Sequence, residues 1–493
     1  MTMRLTRTVL ALSTALLVPA ALSLGAAPAA AQPLQEALAQ AYANNPTLLT
    51  ARAQLRVVDE NVPQALAGWR PTVSITSSVG WTNSENRITQ AGRTSVTPTD
   101  RTTTSNALTI TQPVFRGGRT VAATRRAENQ VLAQRARLFA AEQDVLFNSV
   151  TAYVNVIRDQ ELLALNINNE QVLTEQLRAT NERFRVGEIT RTDVAQAESR
   201  LALARFQRSQ AEGNLQVSRA TFRRLIGAVP ERLVAPQPLR PPVRSAQEAA
   251  QLASVNNPNV VAALFDESAG RDNIDVQMAA LLPQLSVQGQ AFRNSASVQT
   301  GLVQQGQQAI INLTIPLYQG GAEYALVRQA RQEAVRLRSV VDDTRRTVVQ
   351  SATQSWEQLQ TARAQVESSR AQIRAAAIAL DGVQREAIVG SRTTLDVLNA
   401  EQELLNARTN LVTALATLVQ QSYQVATAVG RLTAQDLGLP VEIYNMQAYY
   451  NDVRNRWIGL GDYAGEAQAR AQAEAQAQRA AAQSFIQGTE GTR

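Results

Sequence analysis

Val389-Gly390-Ser391-Arg392-Thr393-Thr394-Leu395-Asp396-Val397 repeats a pattern that first occurs as Val186-Gly187-Glu188-Ile189-Thr190-Arg191-Thr192-Asp193-Val194. Each copy is a Gly-containing turn closed by an Asp-Val pair, with one long helical pattern running in and another running out. Glycine accepts the left-handed backbone that ends a helix, and a Thr/Asp cluster caps the next one. Each copy therefore reads as the tip of an antiparallel helical hairpin. The two tips lie 203 positions apart, and the same offset relates Gly117-Gly118 to Gly320-Gly321 and Gly227 to Gly430. Upstream, Asn44-Asn45-Pro46 returns as Asn256-Asn257-Pro258 and Pro71 as Pro283, now at an offset of 212. The chain is an internal duplication whose second copy is shortened between its two strand segments.

Residues 119–183 and 322–386 are unusually long helical patterns, each roughly 100 Å at about 1.5 Å per residue. Apolar pairs recur every seven residues at Val131/Leu132, Leu138/Phe139, Val145/Leu146 and Ala152/Tyr153, and again at Val397, Leu404, Leu411, Leu418 and Val425. A strict seven-residue period specifies a coiled-coil seam. The shorter patterns 34–68 and 192–226 together match one long helix in length. A repeat thus reads as one continuous helix beside two stacked shorter ones. The Asn-Asn-Pro motif marks a kink or a new helix start.

Between the helices the period changes to two. Val73, Ile75, Val79 and Trp81 alternate with Ser and Thr; Leu108, Ile110 and Val114 do the same; Leu285, Val287, Gly289 and Ala291 alternate with Ser286, Gln288 and Gln290; Ile311, Leu313, Ile315 and Leu317 share one face. The polar stretch from Asn83 to Thr103, with Gly92 and Pro98, reads as a long loop, and Pro113 with Gly117-Gly118 as the strand stop. Strands of this kind, apolar on one face and Ser/Thr/Gln on the other, are the signature of a transmembrane barrel with a wet lumen. Four strands cannot close a barrel, and an open edge cannot sit in lipid. Several chains must each contribute four, and the heptad seams also require partner helices.

Composition narrows the chemistry. The 493 residues include no Cys and no His, and all 48 basic residues are Arg. Ser-His and Cys-His nucleophiles, His- or Cys-built zinc sites and a phosphate-cradling lysine are excluded. The expectation is no enzyme, no cofactor and no metal. Arg4 and Arg7 precede an apolar run from Val9 to Leu24 and the small residues Ala29-Ala30-Ala31, which reads as a secretory signal peptide over residues 1–31, a buried N-terminal helix being the alternative. The net charge of +7 includes those two arginines and is scattered among Asp and Glu, so no nucleic-acid partner is expected. The domain reading continues with a first repeat over 32–228, a Pro-rich connector over 229–245, a second repeat over 246–445 and a C-terminal tail over 446–493. From Ala464 that tail is Ala/Gln-rich, either a solvated helix or disordered.

The duplicated strand-hairpin halves, the segment PLYQGG at 316–321 and above all VGSRTTLDVLNAEQELLNAR at 389–408 resemble the TolC family of outer-membrane channels, over residues 32–445. The resemblance implies a mixed α and β membrane protein: a homotrimer with four strands per chain in a twelve-stranded transmembrane β-barrel and long antiparallel coiled-coil helices in a periplasmic α-barrel. It implies a passive exit duct in the outer membrane that extends into the periplasm and serves tripartite efflux or type I secretion. Its partners would be outer-membrane lipid, a periplasmic adaptor protein and an inner-membrane ABC or proton-driven pump. It further implies a gate in which Arg392 bonds to Thr192 and Asp193, a lumen selectivity ring at Asp396, and adaptor contacts at Val186, Gly187, Val389 and Gly390. Two positions depart from the family: Ala387 replaces a Tyr that also bonds the tip Asp, and Asn399 neutralises a second acidic ring. Helix capping is the alternative role of Asp193 and Asp396, and helix termination that of Gly187 and Gly390. The rival readings of the whole chain are a poreless coiled-coil scaffold or adhesin, and a carboxylate hydrolase.

Overall fold

The computed structural model describes residues 32–295 and 301–461, together with Gln476. Residues 1–31, expected to be a signal peptide, and the Ala/Gln-rich tail, Gln476 apart, lie outside the described residues. The first half of the chain forms α1 (Leu34–Asn44), α2 (Pro46–Asp59), α3 (Asn61–Leu66), β1 (Thr72–Gln90), β2 (Arg93–Arg116), α4 (Arg119–Arg185) and α5 (Arg191–Ile226). The second half forms α6 (Ala246–Asn256), α7 (Pro258–Met278), β3 (Gln284–Ser295), β4 (Val303–Thr314), α8 (Ala322–Ile388) and α9 (Thr394–Ala428). A short helix that the sequence pattern did not announce, α10 (Ala448–Arg454), follows.

The two long helices each run 67 residues. The Asn-Asn-Pro motif is a new helix start in both halves, with Pro46 and Pro258 in the first turn, where a missing N–H costs nothing. Asn45 Oδ1 accepts the N–H of Thr47 at 2.9 Å, while its Nδ2 donates to the carbonyl of Leu225, near the end of α5, at 2.8 Å. Asn257 repeats the arrangement, accepting from Asn259 N–H at 3.0 Å and donating to Ala428 O at 3.1 Å. One buried amide thus caps an N-terminus and an orphaned C-terminal carbonyl together. This joint makes two short helices continue one another alongside a long one.

The joint sits in the main core. Near the midpoint of α4, Tyr153 packs on Phe222 of α5 with ring centroids 6.2 Å apart, both fully buried. Leu38, Leu48, Leu55, Leu146 and Ile226 complete this cluster. The hydroxyl of Tyr153 lies 2.7 Å from Gln32 O and 2.8 Å from Val234 O, and accepts the N–H of Val234 at 3.0 Å. It clamps the Pro-rich connector to the helices at this waist. The heptad positions Val131, Leu138, Val145, Ala152, Val397, Leu404 and Val425 are buried, as a seam requires.

At one end of the helices the four strands form a single antiparallel sheet in the order β1-β2-β3-β4. Cross-strand partners share a face. One face carries Val73, Ile75, Leu108, Ile110, Val287, Ile311 and Leu313, and the other carries Ser74, Thr76, Thr109, Thr111, Gln288 and Gln290. The apolar face is open, with Ile75 79% and Ile311 72% exposed.

Three sequence expectations are corrected here. The stretch from Asn83 to Thr103 is not a loop: β1 and β2 pair continuously from Thr72↔Thr111 to Gln90↔Arg93. Its threonines are β-branched and suit a strand wetted on both faces, and the chain turns only at Ala91 and Gly92, both with positive φ. Pro98 is tolerated because, among the described residues, β3 pairs with β2 no further than Ser295↔Thr104, which leaves no ladder partner for Pro98 on that side. Pro113 does not stop β2 either; it sits at a register shift before Phe115, and the strand ends at Arg116. Finally, β4 ends at Thr314, leaving Ile315 and Leu317 beyond the strand around Pro316.

Candidate functional site

The tips of the two helical hairpins lie at the opposite end from the sheet. α4 stops at Arg185 and α8 at Ile388, and in each the glycine two residues on has positive φ, 79° at Gly187 and 81° at Gly390. Beyond each glycine the next N–H folds back: Glu188 N to Arg183 O and Ser391 N to Glu386 O, both at 3.0 Å. The glycines are helix terminators because only they adopt this backbone without strain. Their neighbours Val186 and Val389 stand almost wholly in solvent, 79% and 78% exposed.

The next helix starts the same way at both tips. Thr190 caps α5, its N–H and Oγ1 donating to Asp193 Oδ2 at 3.0 and 2.7 Å. Thr393 caps α9, its N–H and Oγ1 donating to Asp396 Oδ2 at 3.0 and 2.8 Å. Each is a reciprocal capping box. The Thr190 hydroxyl and N–H hold the Asp193 carboxyl below its usual range, and the backbone N–H and hydroxyl of Thr393 do so for Asp396. Both carboxylates are charged caps first, whatever else they touch.

An arginine–glutamate clasp also spans the turn at each tip, with reversed polarity. Arg183 grips Glu188 at 2.9 and 2.6 Å through Nε and Nη2. Arg392 donates from Nε to Glu386 Oε2 at 2.8 Å. Within one chain Arg392 is therefore engaged by Glu386, while Asp193 is engaged by Thr190 and Thr192 is exposed. The three residues expected to form the gate stand at the two tips and do not pair within a chain.

Behind the tips the two hairpins are joined. Leu173, Leu201, Ala204 and Leu398 form one buried cluster. Beside it, Arg200 Nη2 of α5 donates to Asn399 Oδ1 of α9 at 2.8 Å. The position expected to neutralise a second acidic ring is thus occupied by an arginine as well. Glu386 and Arg200 were not singled out from the sequence. The available signals were that Glu386 stands opposite Arg183 in the duplication and that Arg200 lies one heptad past Asp193. Among the described residues no His, Cys, Asp or Glu cluster could hold a metal ion, and no helix is long and apolar enough to cross a membrane.

Comparisons with known proteins agree with this architecture. The chain matches the outer membrane efflux protein family over residues 37–228 and again over 249–431. It is 35% identical to the outer membrane efflux protein BepC of Brucella suis biovar 1 (strain 1330) over 433 residues, 88% of this chain and 92% of that protein. It is 24% identical to the outer membrane protein TolC of Escherichia coli (strain K12), covering 83% of this chain and 84% of that one. The crystal structure of the Campylobacter jejuni CmeC outer membrane channel superposes with a TM-score of 0.71 at 16% identity, over 86% of this chain and 89% of that one. The twofold match falls on the two halves that share tip, joint and strand pair, and the chain belongs to the outer membrane efflux protein family of TolC-like channels.

Proposed function

We propose that this outer-membrane channel works as a homotrimer whose periplasmic tip opens when an adaptor and an inner-membrane pump dock. Membership of the family makes it an export duct for efflux or type I secretion rather than an enzyme, and does not favour a poreless scaffold. The observation that carries the trimer is the sheet. Among the described residues β1 and β4 each have a neighbour on one side only, and one sheet face is exposed and apolar. Unpaired strand edges do not survive in hydrocarbon, so further copies must continue the sheet until it closes. Three copies supply twelve strands, a number within the range of such barrels.

The same trimer brings three tip pairs around one axis. Arg392 then lies within reach of a choice: Glu386 of its own chain, or Thr192 and Asp193 of a neighbouring copy. The second contact is charge-assisted and directional and would hold the mouth shut. Val186, Gly187, Val389 and Gly390, exposed at the extreme end, form the surface offered to an adaptor, and Asp396 faces the narrowed lumen. Heat-stable trimers in the outer-membrane fraction, conducting in planar bilayers, are the expected result. Monomers, or trimers without conductance, would remove the channel reading. Neighbouring genes for an ABC exporter would point to protein secretion, and those for a proton-driven pump to efflux.

A further inference from the structure

The chain after α9 climbs back towards the sheet. It crosses the waist, where Ala434 N–H donates to Glu142 Oε1 at 2.7 Å and Tyr444 N–H to Tyr42 Oη at 3.1 Å. α10 then lies along α2, α3 and α4. Tyr449 Oη donates to Glu60 at 2.8 Å, Arg454 reaches Glu128 at 2.9 Å, and Tyr450 packs against the buried Val62, Ala127 and Val131. Beyond α10, Arg70 Nη1 donates to Arg456 O at 2.6 Å and the Arg70 guanidinium stacks 5.0 Å over the ring of Trp457. Arg70 stands two residues before β1 begins. The tail therefore ends its described path at the foot of the sheet.

What it carries there is apolar and uncovered. Trp457 is 65% exposed, Ile458 90% and Leu460 103%. Next to it Trp69 is exposed too, its carbonyl fixed to the foot of β2 by Gln112 Nε2 at 2.9 Å. On the other side of the sheet, Leu317 and Tyr318 stand out just past β4. A packed soluble surface does not leave such a run in water. Indole rings beside arginines at the end of an apolar strand face are the composition of the membrane–water boundary, where an amphipathic ring keeps its body in lipid and its N–H wet.

We propose that Trp457-Ile458-Gly459-Leu460 is an interfacial membrane anchor. The segment dips into the periplasm-facing leaflet beside Trp69, and its partner is the phospholipid surface. α10 is the strap that holds it at that height, and Arg70 is the pin that sets the depth of Trp457. The inference rests on the sheet being the part of the protein embedded in the bilayer. It supplies an anchor on the periplasmic side of the barrel foot in a chain that has no cysteine to carry a lipid.

The four tryptophans make the test direct. Full-length protein would be prepared with one tryptophan each, the others replaced by Phe: Trp81 on the apolar strand face, Trp356 in the helical core, or Trp457. Each is reconstituted in phosphatidylcholine vesicles, with and without bromine on the upper acyl chain. Bromolipid should dim Trp81 and Trp457 and leave Trp356 unchanged, and iodide should reach Trp457 only weakly. Dimmed Trp81 with an undimmed, iodide-accessible Trp457 shows a solvated tail and overturns the anchor alone. Trp457 shielded from both quenchers shows that a second copy of the chain covers it, which also overturns the anchor. An undimmed Trp81 removes the embedded sheet, and the anchor with it.

Discussion

Arg392 Nε lies 2.8 Å from Glu386 Oε2, and this bond within a chain competes with any bond that Arg392 makes to a neighbour. The first prediction follows from that competition. Arg392→Ser removes the proposed latch and should raise single-channel conductance and sensitivity to large antibiotics such as vancomycin. Glu386→Gln releases Arg392 to the neighbouring Asp193 and should do the opposite, lowering the open fraction. If neither variant alters conductance, the closed state is held elsewhere, as the alanine at 387 already allows.

If Asp396 faces the lumen as proposed, selectivity at the mouth depends on Asp396, Asn399 and Arg200 together. A ring of carboxylates concentrates cations where a lumen narrows, and the Arg200 guanidinium held at 2.8 Å from Asn399 opposes that field. Asp396→Ala should abolish cation preference, and Arg200→Ala should increase it. Asn399→Asp should increase it about as much as Arg200→Ala, because a carboxylate paired with Arg200 takes the local charge from +1 to 0 just as removal of the guanidinium does. Reversal potentials in a salt gradient decide. An unchanged potential in Asp396→Ala would leave Asp396 as a helix cap only.

The helix joint should be costly to break. Asn45 and Asn257 are 3% and 7% exposed, and each serves a helix start and a helix end. Asn45→Ala or Asn257→Ala removes a cap and leaves a buried carbonyl unpaired, a loss of about 1–3 kcal/mol. Phe222→Ala in the same core should cost about 3–5 kcal/mol. Denaturant unfolding of the trimer measures both. A loss at Asn45 as small as at an exposed cap would show that the stacking is incidental.

The two sheet faces should tolerate charge differently. Arg at Val73, Ile75 or Leu313 places a guanidinium against lipid and should cost about 2–4 kcal/mol near mid-bilayer, falling towards the boundary. Ile315 lies beyond β4, so Arg there should cost less than at Ile75. Arg at Ser74 or Thr314 points to the wet face and should assemble normally. Trimer yield in the outer membrane reads the difference, and equal damage on both faces would discard the assignment.

Asp59 should make stability depend on pH. It is fully buried, and neither carboxylate oxygen has a hydrogen-bond partner among the described residues. Burial pushes its pKa up to about 6 from 3.8, against the opposing pull of Arg135. The folded state then binds more protons than the unfolded chain between those values. This group's contribution is most favourable below about pH 4, declines as pH rises to about 6 and is flat above. Asp59→Asn should melt higher at neutral pH and lose that decline. A parallel pH profile for the variant would show that Asp59 ionises normally.

Much of the site was legible because it is local. A glycine after a heptad run, followed by Thr-x-x-Asp, dictates a helix end and a helix start within a few residues, and both tips fold so. The strand faces of Val73 and Ile75 were legible for the same reason, since a period of two is a property of neighbours. The stretch from Asn83 to Thr103 reads as a loop from its sequence because a strand wetted on both faces shows no alternation. Only its pairing across the hairpin reveals it.

By itself the sequence determined the duplication, the hairpin tips, the four amphipathic strands and the exclusion of histidine, cysteine and lysine chemistry. These follow from residue identity and periodicity, which act over short range. Tertiary structure alone decided the rest. It gave Arg392 to Glu386, laid Arg200 on Asn399, made Asn45 and Asn257 into joints and carried Trp457 to the foot of the sheet. Each of the last three brings together groups more than a hundred residues apart, and no pattern within a segment encodes which one will be near. Even Arg392 and Glu386, close in the chain, meet only because the glycine turn folds one back on the other.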